Sequence, residues 1–315
     1  MKTIKLLIPL LMALALTAGP AQADWSPKGP IKLWIGFGAG GGTDTQARAL
    51  AEELEKLRGW RVIPENKAGG GGAVMAAALK GAPADGQTIG FAINTTFDFD
   101  TIGSKNLSLD DFTYITTTAG SQVAILARKD SGWKTLDDMV AAAKGGTTIV
   151  WADWGKQVEA GADVVAKHFD IKINHLQAKG GKGSIDALVA QDANVAWGGG
   201  VQRGLVAAGE LVILASGEDK PLVQAPNGKT LRDYGIDYDF SYQFLLAGPK
   251  GMSTEARDAI AKAIAEVLAN PNSKTRQFIS KQYPPGPLVI SGDALQARLK
   301  STLQANERLL KAIAR

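Results

Sequence analysis

Two glycine-rich turns, about thirty residues apart near the start of this chain, constrain its fold more than any other feature. Residues 31–73 read IKLWIGFGAGGGTDTQARALAEELEKLRGWRVIPENKAGGGGA. An apolar run from Ile31 to Phe37 ends in Gly38-Ala39-Gly40-Gly41-Gly42. The helix that follows puts Ala47, Leu50, Ala51, Leu54 and Leu57 on one face. Thr43 or Asp44 can cap its start and Gly59 its end. A second short run, Arg61 to Pro64, meets the turn Gly69-Gly70-Gly71-Gly72. Such turns gather at the carboxyl ends of neighbouring strands, where open α/β sheets bind ligands.

Each turn admits two readings. Glycine can serve turn geometry alone, or it can let a ligand approach the backbone closely. Amides at a helix start point outward with the positive end of the helix dipole, so the stretch from Phe37 through Thr43 can bind an anion. Asp44 is a cap first; a carboxylate beside a bound anion would act through water. Asn94 and Thr95, at the end of a third strand, either hydrogen-bond ligand oxygens or cap the next segment. Gly36-Phe37-Gly38-Ala39-Gly40-Gly41 also matches the dinucleotide pattern G-x-G-x-x-G, with Glu65 near the end of strand two. An exported dinucleotide-dependent enzyme is therefore a competing reading. No residues suited to hydride transfer follow, and neither turn ends in the Lys-Ser or Lys-Thr of a P-loop.

Strand and helix patterns alternate along the rest of the chain, which predicts parallel sheets covered on both faces. The alternation restarts after an apolar stretch at Val123 to Ala127, predicting a second lobe. Tyr242 to Ala247 reads as a returning strand. Helices are expected over 253–270, 273–282 and 293–314. The predicted division is 1–23 as a signal peptide, 24–122 with 242–315 as one lobe, and 123–241 as the other.

The signal-peptide reading rests on Lys2 and Lys5, an apolar run from Leu6 to Leu16, and Ala21-Gln22-Ala23 as a cleavage site before Asp24. Removing those two lysines lowers the formal charge from +4 to about +2. The remaining charge is scattered, which argues against a nucleic-acid partner. The chain has no Cys, so thiolate metal sites and a catalytic Cys are excluded. Export without disulfides points to a bacterial periplasm. His168 and His175 straddle a helix-to-strand turn and offer neither a metal pair nor a triad. Neither G-x-S-x-G nor H-E-x-x-H occurs, and no enzyme activity, metal or cofactor is expected.

Trp151, Trp154 and Trp197 fall at or just after strand ends in the second half, beside Gly155 and Gly198. Each alone reads as core. Together they predict an aromatic-walled cleft suited to a planar or hydrophobic ligand body.

These residues together resemble the Bug family, the substrate-binding proteins of tripartite tricarboxylate transporters. Pro30 to Asp44 is similar to that family's P-I-R-L-I-V-P-F-P-P-G-G-x-x-D, and Pro64 to Gly72 to its V-V-V-E-N-R-x-G-A-G-G. Ala82-Pro83 with Asp85-Gly86-Gln87-Thr88, Asp111-Phe112-Thr113, Lys179-Gly180-Gly181 and Ala247-Gly248-Pro249-Lys250-Gly251 extend the match across the mature chain. The resemblance implies a type II periplasmic-binding-protein fold, with two α/β lobes around a ligand cleft. It implies that both glycine turns hold a ligand carboxylate, that the second lobe (here Trp151, Asp153, Trp154, Gly155, Lys179 and Trp197) sets ligand identity, and that membrane permease subunits are the partners. A monomer is expected, and a sensor subunit that presents ligand to a receptor is a further alternative. Two departures stand out. Gly38-Ala39 replaces Pro-Pro, and Trp151-Ala152-Asp153-Trp154-Gly155-Lys156-Gln157 replaces a Ser-Ser-Gly-x-Gly-[Ser/Thr] loop.

Overall fold

The computed structural model describes residues 25–102 and 104–313. The predicted signal peptide and its cleavage after Ala23 lie outside the described residues. Two five-stranded sheets organise the chain. The first takes β1 (Ile31–Ile35), β2 (Val62–Asn66), β3 (Thr88–Ile93), β4 (Phe112–Gly120) and β10 (Gln243–Pro249). Its order is β2-β1-β3-β10-β4. The second takes β5 (Ala124–Arg128), β6 (Ile149–Asp153), β7 (Ile173–Gln177), β8 (Val195–Gly198) and β9 (Leu211–Ser216), in the order β7-β6-β8-β5-β9.

The sheets are mixed, which corrects the expectation of parallel ones. β1 pairs in parallel with β2 and β3, and β6 with β7 and β8. β10 runs antiparallel to β3 and β4, and β5 antiparallel to β8 and β9. β5 and β10 are the strands by which the chain enters one sheet from the other. Neither follows a helix packed on its own sheet, so no crossover returns it parallel.

Helices α1 (Gly42–Arg58), α2 (Ala73–Lys80) and the single turn α3 (Thr95–Asp98) follow β1, β2 and β3. Helices α4 (Leu136–Lys144), α5 (Lys156–Phe169), α6 (Gly181–Val189) and α7 (Arg203–Ala207) alternate with the strands of the second sheet. Helices α8 (Thr254–Ala269), α9 (Lys274–Gln282) and α10 (Gly292–Ile313) close the chain. The α1 stripe buries Ala47, Leu50, Ala51 and Leu54, whereas Leu57 is 44% exposed at the edge of the stripe in the last turn. No side chain caps α1: its N-cap is Gly41, and neither Thr43 nor Asp44 occupies that role. Ser253 and Ser273 cap α8 and α9 as their sequence positions predict.

β3 is buried along its whole length, in contact with α1, α2 and α3, and Met75 and Leu79 of α2 pack against Gly90. That burial fits its near-continuous apolar run. The last helix, α10, packs on β4, α3 and α5 and so touches elements of both sheets. Its Asn306 donates to Asp98 at 3.1 Å and accepts from Tyr238, whose hydroxyl also receives a hydrogen bond from Gln157 at the start of α5.

Candidate functional site

The first glycine turn leaves β1 and is fixed from below by one carboxylate. Asp44 Oδ2 accepts from the Gly40 amide at 2.9 Å, and Oδ1 accepts from Arg48 Nε and Asn66 Nδ2, each at 2.9 Å. Asn66 Nδ2 also donates to the Phe37 carbonyl at 3.0 Å. Burial raises the Asp44 pKa, but Arg48, the Gly40 amide and Asn66 outweigh it and hold the group below the usual carboxylate range. Asp44 thus spends its carboxylate on shaping the turn. Gly40 joins it in this clamp and is not part of the cavity wall.

Above the turn lies a cavity of about 200 Å³ between the two sheets. Phe37, Gly38, Ala39, Gly41, Gly42 and Thr43 line it on one side, with Trp154 and Lys179 opposite. The sides meet directly, because the Gly38 amide donates to the Lys179 carbonyl at 3.2 Å. Two helix starts point here, α1 at Gly42 and α6 at Gly181, and neither has a side-chain cap. Their first-turn amides have no partner within the helix, so both ends present positive charge to the cavity.

Several lining residues were not anticipated from the sequence. Gly180 to Gly183 and Asp186 come from the α6 start, and Ile93, Tyr242, Phe244 and Tyr283 from the first-sheet side. Gly199 and Val201, after β8, complete the wall. The Gly180-Gly181-Lys182-Gly183 run carries the same strand–glycine–helix signal as the first turn and could have been found by it. The aromatic residues carry no such signal, since Tyr242 and Phe244 look like ordinary strand residues. Lys182 pairs with Asp186 at the rim.

The second turn, Gly69 to Gly72, does not line this cavity. It turns back against α3: Thr96 Oγ1 donates to the Gly71 carbonyl at 2.6 Å. A Cβ on Gly71 (φ 66°) would lie 2.5 Å from Asp100 Oδ2 and 3.2 Å from the Cα of Gly155. Gly71, Thr95 and Gly155 instead line a small separate space of about 10 Å³. Ile93 and Trp154 border both spaces and separate them.

Four further residues singled out in the sequence, Trp151, Trp197, Asp153 and Asn94, are buried and do not line the cavity. Trp151 and Trp197 are both 0% exposed, packed with ring centroids 5.4 Å apart and planes tilted by 39°, with Phe240 beyond, as part of the core. Asp153 is also fully buried and bonds His175 Nδ1 at 2.6 Å, while Asp163 takes the other ring nitrogen at 3.1 Å. Burial would lower the His175 pKa, but these two carboxylates raise it above the usual histidine range. Asn94 spends its side chain on Asp98 Oδ2 at 2.8 Å and on the Gln243 amide at 2.7 Å, so it ties β3 to β10. Glu65, the acid of the dinucleotide pattern, pairs with Lys67 at 2.9 Å on the outside.

The arrangement is a two-lobed α/β binding protein with an anion-attracting, aromatic-walled cavity between the lobes. The family model of the tripartite tricarboxylate transporter family receptor matches residues 46–284, and the chain belongs to that family of periplasmic solute-binding proteins. A "UPF0065 protein in gbd 5'region" of Cupriavidus necator is 29% identical over 271 residues, covering 82% of this chain and 81% of that one. Among solved structures, the periplasmic binding protein BugD matches with a TM-score of 0.81 at 22% identity, over 92% of this chain and 99% of its own. MatC of Rhodopseudomonas palustris, solved with bound malate, matches with a TM-score of 0.75 at 19% identity, over 91% and 98%.

Proposed function

We propose that this protein captures a small organic carboxylate between its lobes and delivers it to the membrane permease of a tripartite tricarboxylate-type transporter, without chemistry of its own. The lobes are residues 24–122 with 242–315, and 123–241. One observation carries the reading: the uncapped start of α1 opens into a cavity, open to solvent on one side, whose lining includes Phe37, Trp154, Tyr242, Phe244 and Tyr283. Backbone amides at such a helix end favour a carboxylate, and the rings of Phe37, Trp154 and Phe244 favour an apolar body attached to it. The malate bound by MatC is a ligand of the same chemical class. A space of about 200 Å³ suits a small molecule.

Thermal unfolding against a panel of aliphatic and aromatic mono- and dicarboxylates, with nicotinamide dinucleotides included, tests this. Ligand at a hundred times its Kd stabilises the native state by about 2.7 kcal/mol. The expected result is a raised midpoint with one class of carboxylate. A rise with dinucleotides alone would replace this reading with that of a cofactor-dependent enzyme.

A further inference from the structure

Tyr283 follows the end of α9, and its ring passes from the first-lobe side into the cavity. It is packed 4.8 Å from Phe244 and 6.1 Å from Phe278, and the residue is only 2% exposed. Its hydroxyl donates to and accepts from nothing among the described residues, although it lies at the cavity wall. By contrast, the neighbouring Tyr242 hydroxyl is spent on the Gly199 carbonyl at 2.9 Å. The Tyr283 oxygen is not sealed in the interior but opens on the cavity, where a ligand atom can reach it.

The backbone around the ring makes room for it from both lobes. A Cβ on Gly42, the first residue of α1, would lie 1.8 Å from the Tyr283 hydroxyl. A Cβ on Gly200, after β8 in the second sheet, would lie 2.2 Å from the ring's Cε1. Any side chain at Gly42 would therefore displace the hydroxyl from the start of α1. Gly42 sits where the free amides of the first turn converge on the cavity. Burial holds the phenol protonated well above the ordinary tyrosine range, so next to an anion it acts as a donor.

We propose that the Tyr283 hydroxyl donates a side-chain hydrogen bond to the ligand carboxylate bound by the α1 amides, and that glycine at 42 and 200 seats the ring against both lobes. The assignment rests on the carboxylate reading above and adds a specificity residue to it. A ligand whose anionic group is replaced by an amide can still meet the α1 end with its carbonyl oxygen, but it loses the charge-assisted bond to this hydroxyl.

The test titrates wild type and Tyr283→Phe with malate and with benzoate, read by tryptophan fluorescence, alongside unfolding of each ligand-free protein. Phe keeps the ring and removes only the oxygen. Affinity for whichever probe binds wild type is expected to fall about tenfold, the equivalent of about 1.4 kcal/mol, with the ligand-free midpoint essentially unchanged. Equal affinity in the two proteins overturns the Tyr283 assignment and leaves carboxylate capture standing. Failure of wild type to bind either probe or any carboxylate of the wider panel removes both. Should Tyr283→Phe not fold, Gly42→Ala displaces the same oxygen; its expected result is at least tenfold weaker binding, and wild-type affinity there would overturn the assignment.

Discussion

Asp44 shows how one residue holds a turn in shape. It accepts three hydrogen bonds, from Gly40, Arg48 and Asn66, and so ties the first turn to the end of β2. Asp44→Ala should lower unfolding free energy by about 1–3 kcal/mol, because the Gly40 amide and Asn66 lose their acceptor; chemical denaturation would measure it. The Asp44 pKa is depressed in the folded protein, so its contribution is present above the unfolded carboxylate pKa near 4 and is lost as pH falls through the lower folded value. The tryptophans divide by what lies around them. Trp151→Ala should cost about 3–5 kcal/mol of stability in denaturant titration while leaving ligand affinity of the folded fraction intact, since the ring fills core. Trp154 is only 4% exposed, yet it borders both the main cavity and the small space beside Gly71. Trp154→Phe should widen the cavity toward that space and shift preference toward bulkier carboxylates in a thermal-shift panel; an unchanged ranking would mean that Trp154 does not set ligand size.

At the scale of elements, the first turn and α1 were legible because glycine spacing, strand and amphipathic helix agree within one short stretch. The position of the second turn was legible too, but its partner was not. Nothing local in Gly69 to Gly72 reveals that Thr96, Asp100 and Gly155 fold against it. The tryptophans mislead for a related reason: a strand end is where a cleft opens, but whether a ring there faces cleft or core depends on register. Trp151 pairs with His175 and Val195, and its ring goes inward. Tyr283 was invisible in the sequence, since its meaning comes from Gly42 and Gly200, each far away in the chain. The reversed strands β5 and β10 escaped for the same reason, because strand direction is set by the sheet that a strand joins. Gly41 has ordinary backbone angles, so Gly41→Leu is free to fold. Its side chain would enter the cavity beside Gly38 and Lys182, and the expected result is loss of carboxylate binding by calorimetry with a wild-type circular dichroism spectrum.

Across the whole molecule, buried acids collect where the two lobes meet. Burial pushes Asp98 up to about 7, Asp100 up to about 8 and Glu218 up to about 7. Each folded value lies above the unfolded one, so the folded state keeps a proton that the unfolded chain has released. The stability they contribute is full below a pH of about 4 and is lost as pH rises through 7 to 8. His175 adds in the same direction, since its raised folded pKa gives stability that is present below about 6.5 and lost above it. The ligand-free protein should therefore melt at a higher temperature at about pH 6 than at about pH 8.5, and Asp100→Asn should reduce that difference. Calorimetric scans across this range give the sign directly. The most direct test of carboxylate capture is a titration of isotope-labelled protein with malate or benzoate, followed through the backbone amide resonances. The account predicts that the Gly42 and Thr43 amides at the start of α1 shift most strongly and saturate with the ligand. Saturable binding that leaves those two amides unmoved would contradict it.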